Sequence, residues 1–239
     1  MPPGCDDSGM ALGAALLLTH NILDLPHLPR TALTSTGAYL GAPIAKGCTD
    51  DAIEHYKKEI QASSVDDIAQ DAADALAENK IIGWYEGRSE VGPRALGHRS
   101  ILSNPAFFDN WKRVNLIKGR EEWRPFAPSV LDDDASDWFK DCPLPSPYML
   151  FTAKVKNKKI PAITHVDDTA RVQTVTEDCG NYYQLLKHFK ALTGLPVLLN
   201  TSFNGPGVPI VETPEQAIEF LIQSDLDYLY IDGYRIEKK

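Results

Sequence analysis

Four stretches of this chain gather charged and hydrogen-bonding side chains in a pattern that suits an anionic ligand. The first is residues 87–100, GRSEVGPRALGHRS. Its glycines let the backbone approach a ligand, and Arg88, Arg94 and Arg99 supply forked donors for phosphate or carboxylate. A tight turn with exposed arginines has the same pattern. The second is Lys118-Gly119-Arg120, followed by Trp123-Arg124-Pro125-Phe126. Its cations cluster if the preceding helix ends near Ile117, although the helix dipole favours basic residues there in any case. The third is residues 198–205, where an apolar run passes into Asn200, Thr201, Ser202 and Asn204. Ligands of α/β sheets bind at such strand ends; a polar turn closed by Asx hydrogen bonds is the alternative. In the fourth, Arg171 leads a strand just after Asp167 and Asp168, with which it can form a surface ion pair. There is no Walker spacing, no GxSxG elbow, and no HExxH or HxxxH pair for a metal.

The elements around these stretches follow from periodicity and punctuation. An apolar, small-residue helix over residues 10–20 has almost no polar face, so burial on most sides is expected. Residues 22–48 read as a linker or an extended crossing segment. Thr49 is expected to cap a helix reaching about Ile60, and Ser64 a second one reaching about Lys80. Strands are expected at 81–85, near 100–103, and at 129–131, 148–155, 170–176, 197–199 and 228–231. Helices are expected over 107–117 and 181–192. A further helix runs from Thr213-Pro214 to about Ser224, with threonine as cap and proline at the first position. Interleaved strands and helices make the body α/β or α+β.

Composition narrows the functional classes. The 239 residues carry a net charge of −9, which argues against broad nucleic-acid binding. Yet residues 88–124 hold eight basic and four acidic side chains. Such a basic island in an acidic chain suits a small anion, or a solvated face of ordinary surface pairs. The longest apolar run, residues 10–18, is too short to span a membrane. The first eight residues contain no lysine or arginine, unlike a secretory signal. Cys5, Cys48, Cys142 and Cys179 form no CxxC pair, so a reducing cytoplasm is expected.

Five motifs then occur in a recognisable order: GRSEVGPRALGHRSILSNP, IKGREEWRPFAPSVL, TARVQTV, LPVLLNTSFN and PIVETPEQAIEFL. Over about residues 81–231 the chain resembles the C-terminal half of the NodU/CmcH-type carbamoyltransferases. The resemblance implies a YrdC-like domain, a twisted mixed sheet with flanking helices, over residues 46–239. It implies formation of carbamoyl-adenylate from carbamoyl phosphate and ATP, with Mg2+ arriving on the ATP. A preceding ASKHA-type domain, similar to the Kae/TsaD enzymes, would then move the carbamoyl group to a hydroxyl of a sugar or natural product. The YrdC-like K-x-R and S-x-N tetrad matches Lys118, Arg120, Ser202 and Asn204, with Lys118 and Arg120 expected to be exposed in a cleft. Arg124 and Arg171 resemble further phosphate contacts. Arg94, Arg99, Asn200 and Thr201 join them as expected substrate or nucleotide contacts.

Residues 6–15, DDSGMALGAA, resemble the last motif of the ASKHA-type half, so residues 1–45 read as its helical remnant and a linker. In that half the aspartate aligned with Asp7 completes an iron site with two histidines that this sequence lacks, so iron is expected only in the complete two-domain enzyme. The chain thus reads as a piece of a longer enzyme or a split-gene half. Its apolar helix calls for a cover, either the ASKHA-type half in trans or a second copy in a homodimer. The alternative to an enzyme is a binding module for nucleotide or carbamoyl phosphate, inactive without that half. No membrane or nucleic-acid partner is expected.

Overall fold

A computed structural model of the chain describes residues 3–5, 7–27 and 35–239. Asp6 and residues 28–34 of the expected linker lie outside them. In chain order the elements are α1 (Met10–Leu17), α2 (Cys48–Tyr56), β1 (Ile60–Ser64), α3 (Ile68–Ala77), β2 (Ile82–Tyr85) and β3 (Arg99–Ser103). Then follow α4 (Asp109–Ile117), β4 (Ala127–Leu131), α5 (Asp132–Trp138), β5 (Phe139–Lys140), β6 (Phe151–Val155) and β7 (Thr169–Val175). The chain closes with α6 (Asn181–Thr193), β8 (Val197–Ser202), α7 (Pro214–Gln223), β9 (Tyr228–Ile231) and β10 (Tyr234–Lys238).

The ten strands form one mixed sheet in the order β1-β10-β9-β2-β3-β8-β4-β7-β6-β5. The β2–β9 and β4–β7 pairs are parallel and the others antiparallel. β8 is central, between β3 and β4, and its residues 197–200 are fully buried. α3 is alanine-rich on its buried face, where Ala69, Ala72 and Ala73 allow close approach to α6. From α6, Tyr182, Leu185, Leu186 and Phe189 fill the core at the spacing the sequence predicts. Thr213 and Gln216 close a capping box at the start of α7, with Pro214 in the first turn.

Three local expectations change. Residues 60–64 are a strand, not a helix end, because Ile60 to Ser64 pair along β10 from Lys238 to Tyr234. Asp67, not Ser64, caps α3: its Oδ1 accepts from Ala69 N at 3.1 Å and Gln70 N at 3.0 Å. Gly47, not Thr49, precedes α2, since the Thr49 hydroxyl is engaged by Asp232. α5, β5 and β10 have no counterpart in the sequence-based reading.

The apolar helix α1 is uncovered: none of its residues is buried, and Met10, Leu12, Leu16 and Leu17 are exposed. The expected burial fails because no second layer packs on it among the described residues. Among those residues, no helix is long and apolar enough to cross a membrane.

Candidate functional site

The cleft is built where α4 ends opposite the end of β8. α4 stops at Ile117, and Gly119 takes a positive φ of +56° that turns the chain out of the helix. This turn aims Lys118 at β8. On that side Phe203 is wholly buried, edge-on to Phe220 with ring centres 5.4 Å apart. Successive residues of an extended chain face opposite ways. With Phe203 driven into the core, Ser202 and Asn204 both turn toward the cleft.

Lys118 is only 5% exposed. Its Nζ donates to Ser202 O (2.5 Å), Ser202 Oγ (3.2 Å), Asn204 O (3.0 Å) and Asn204 Oδ1 (2.9 Å). Ser202 Oγ donates to Asn204 Oδ1 at 2.6 Å. The expected tetrad therefore comes together across 84 and 86 residues of sequence, but Lys118 is buried where exposure was expected.

Around this knot lies a polar cavity of about 540 Å³, lined by Lys118, Arg120, Glu121, Arg124, Ser202 and Asn204 together with the 205–207 turn. Arg120 stacks on Phe126, its guanidinium carbon 4.5 Å from the ring centre. Arg124 pairs with Glu121 at 2.8 Å, both half-exposed. Burial, and then the neighbouring Arg124, lower Arg120 to about 10.

Burial, and then Arg120, pull the Lys118 ammonium down to about 7, while the four surrounding oxygens accept only from a donor and favour the charged form. An anion in the cavity would raise it again. Anion binding near pH 8 is therefore expected to take up a proton, and affinity to fall as pH rises above 7. Calorimetry of inorganic pyrophosphate binding in buffers of different ionisation enthalpy checks this, and Lys118→Met should abolish the uptake. For folding, the native value lies below the ordinary ~10.4 of an unfolded lysine. The unfolded chain then holds the extra proton between about 7 and about 10, so this group makes stability rise with pH across that window.

The other expected contacts lie elsewhere. Arg99 is wholly buried; its guanidinium lies 3.6 Å from the Tyr85 ring centre and donates to the carbonyls of Glu86, Gly87 and His98. It clamps the 86–98 loop rather than facing the cavity. Glu90 Oε1 holds the same loop by accepting from the backbone of Leu96, His98 and Arg99. Asn200 is also internal: its Nδ2 reaches Ala95 O, Ser129 Oγ and Gln173 Oε1 and ties the loop to the sheet. Thr201 alternates with Ser202 along β8 and so faces away from the cavity.

Arg171 and Arg94 form a second cationic spot. Burial, and then Arg94, lower Arg171 to about 10. Arg171 makes no ion pair with Asp167 or Asp168, since the Asp167 carboxylate is taken by Thr169. Asp7 is exposed in a short turn, and no group of three metal-ligating side chains forms among the described residues, so Asp7 does not by itself fit an iron site.

Residues 73–238 match the family model for the carbamoyltransferase C-terminus. The chain belongs to that family. It is 41% identical over 245 residues to nodulation protein NolO of Bradyrhizobium diazoefficiens, with 99% of this chain and 44% of the relative covered. It is 39% identical over 244 residues to NolNO of Sinorhizobium fredii, with 99% and 35% covered. The 3'-hydroxymethylcephem-O-carbamoyltransferase of Amycolatopsis lactamdurans is 35% identical over 210 residues, 86% of this chain and 38% of its own length. This chain thus spans less than half the length of each of these relatives. Among solved structures, T. kodakarensis HypF superposes with a TM-score of 0.51 at 18% identity, over 82% of this chain and 26% of its own. That likeness shows the YrdC-like fold.

One side chain of this carbamoyltransferase C-terminal domain escaped the sequence reading. Asn115, wholly buried in the last turn of α4, bonds Arg120 and the carbonyls of Glu122 and Arg124. The available signal was an asparagine between Val114 and Leu116 in the last turn of the helix, on a buried face that also carries Asn110 and Ile117.

Proposed function

We propose that this domain forms carbamoyl-adenylate from carbamoyl phosphate and ATP, the first half-reaction of O-carbamoyl transfer to a hydroxyl of a sugar or natural product. What carries the reading is the knot of Lys118 with Ser202 and Asn204 beside Arg120 and Arg124, on a polar cavity with room for phosphate groups. In the balanced reaction, water takes the phosphoryl group of carbamoyl phosphate as inorganic phosphate. An oxygen of the freed carbamate then attacks the α-phosphorus of ATP, and pyrophosphate leaves. Arg120 and Arg124 neutralise phosphate oxygens and align the in-line attack, while Lys118 holds Ser202 and Asn204 in place to bond the carbamoyl group. No covalent nucleophile on the protein is needed. Mg2+ enters with ATP as part of the substrate.

An apolar groove of about 570 Å³ takes in Trp123 of the cation loop, residues 118–124, together with Pro125 and Phe126 just after it. Phe108, Trp111, Trp123 and Phe126 line it, and Trp123 is 71% exposed. A flat ring bound here would extend from phosphates bound at Arg124, as a nucleotide requires. Base–aromatic stacking contributes ~1–3 kcal/mol. Trp123→Ala is therefore expected to weaken ATP binding about tenfold and to leave tripolyphosphate binding unchanged, as read by calorimetry with each ligand.

The decisive experiment mixes the chain with ATP, Mg2+ and carbamoyl phosphate and measures pyrophosphate. Release that requires carbamoyl phosphate supports the adenylating domain. A binding module is the second reading. It is favoured by Lys118 being spent on protein oxygens and Arg124 on Glu121, which leaves Arg120 as the cavity's unpaired cation. ATP binding without pyrophosphate release would select it.

A further inference from the structure

The cation loop, residues 118–124, has to present Arg120 to the cavity although it carries no regular hydrogen-bond ladder of its own. One amide ties three of its residues together. Asn115 Oδ1 accepts from Arg120 Nε at 2.7 Å. Asn115 Nδ2 donates to Glu122 O and Arg124 O, both at 3.1 Å. The orientation of the amide is unambiguous, because Arg120 Nε only donates and the two carbonyls only accept. The Arg120 backbone N–H also returns to Asn115 O at 3.1 Å, and Trp111 Nε1 donates to Arg124 O at 2.7 Å. The guanidinium is thus held on one edge by Asn115 and on one face by Phe126. Arg120 lines the cavity, and Nε is the guanidinium nitrogen that Asn115 engages.

We infer that Asn115 is the positioning residue of the anion site: by fixing Arg120 Nε and the carbonyls of Glu122 and Arg124, it pre-orients the Arg120 guanidinium for phosphate. Asn115 does not line the cavity, so it acts through Arg120 and not by contact with the ligand. A guanidinium aligned beforehand gives up less freedom when the anion arrives, and that difference appears in affinity. The inference rests on the phosphate reading of the cavity for its functional consequence, and on the hydrogen bonds alone for its structural part.

The test is a double-mutant cycle between Asn115→Ala and Arg120→Ala, read by calorimetry with inorganic pyrophosphate. It is joined by the 15N NMR signal of Arg120 Nε–H and its exchange with water. Asn115→Ala alone is expected to weaken pyrophosphate at least tenfold and to speed exchange of the Arg120 Nε–H. In the Arg120→Ala background it is expected to add less than twofold. A purely structural asparagine would weaken both backgrounds by the same factor, and that result overturns the inference, as does wild-type affinity in Asn115→Ala.

Asn115→Asp covers the case in which the alanine variant does not fold. It keeps the acceptor for Arg120 but replaces the donors that face Glu122 O and Arg124 O, and its charge competes with the anion. Arg120 Nε–H should then stay protected while pyrophosphate affinity falls; unchanged affinity in a folded Asn115→Asp overturns the inference. If the wild-type chain binds no pyrophosphate, the phosphate reading fails. The Nε–H signal then decides alone, and protection unchanged in Asn115→Ala rejects the positioning role.

Discussion

Arg120→Ala is expected to lower carbamoyl-phosphate-dependent pyrophosphate release by ~10²–10³, the usual cost of removing one pre-aligned donor from developing charge. Its side chain is only partly buried and leans on the Phe126 ring, and its one amide partner, Asn115, keeps two further bonds after truncation. Stability should therefore fall by no more than ~1–2 kcal/mol. Lys118→Ala separates the two roles of this cluster. It should remove as much activity, but it also strips a buried donor from four oxygens. Hydrogen bonds to a charged group are worth ~1.5–3 kcal/mol each when a buried partner is left without water, so a measurably larger drop in urea midpoint is expected for Lys118→Ala than for Arg120→Ala. Equal midpoints with equal loss of activity would mean that water replaces the ammonium freely and that Lys118 does not hold the end of β8. Wild-type release from a folded Arg120→Ala would remove Arg120 from the site.

Gly97→Ala is expected to be strongly destabilising for a single added methyl. Gly97 has φ +114°, and a Cβ there would sit 2.2 Å from Tyr182 Cδ1 and 2.5 Å from Cε1. Tyr182 is itself fully buried in α6, so its ring has nowhere to swing. Backbone strain of ~1–3 kcal/mol and overpacking of ~1–3 kcal/mol together give about 2–6 kcal/mol. The damage would not stay local: Leu96 O and Ala95 O, next to Gly97, take the amides of Gln173 and Asn200 that fasten the loop to the sheet. Chemical denaturation measures it; a loss below about 1 kcal/mol would show that the loop adapts. The same loop receives the segment around Tyr39. Tyr39 stacks on His98 at 3.5 Å and donates to Leu96 O, so the turn is clamped from the chain's N-terminal side as well.

Much of this was legible in the residues. The helices α6 and α7 announce themselves by apolar spacing and by Thr213-Pro214, because both signals are local. Ser202 and Asn204 were legible as a polar strand end and as part of the family's tetrad, whereas the alternation about buried Phe203 that turns both to one side emerged only from the structure. β1 was not legible, since residues 60–64 carry little strand character and become a strand only by pairing with β10 at the other end of the chain. Arg99 and Asn200 were read as ligand contacts because residue type reports hydrogen-bonding capacity and not direction. Both spend that capacity inside the protein, on loop carbonyls and on a buried amide-hydroxyl layer.

By itself the sequence determined the family, through five motifs in order, and it named the side chains of the candidate site: a lysine and two arginines in a basic island of an acidic chain, with a serine and an asparagine at a strand end. Only the tertiary structure decided which cations are free. Lys118 is consumed by β8, Arg124 pairs with Glu121, and Arg120 is aimed by Asn115. The physical reason is that these assignments depend on distances between atoms up to 86 residues apart. A hydrogen bond forms or fails within a few tenths of an ångström, a scale that residue spacing along a chain does not encode.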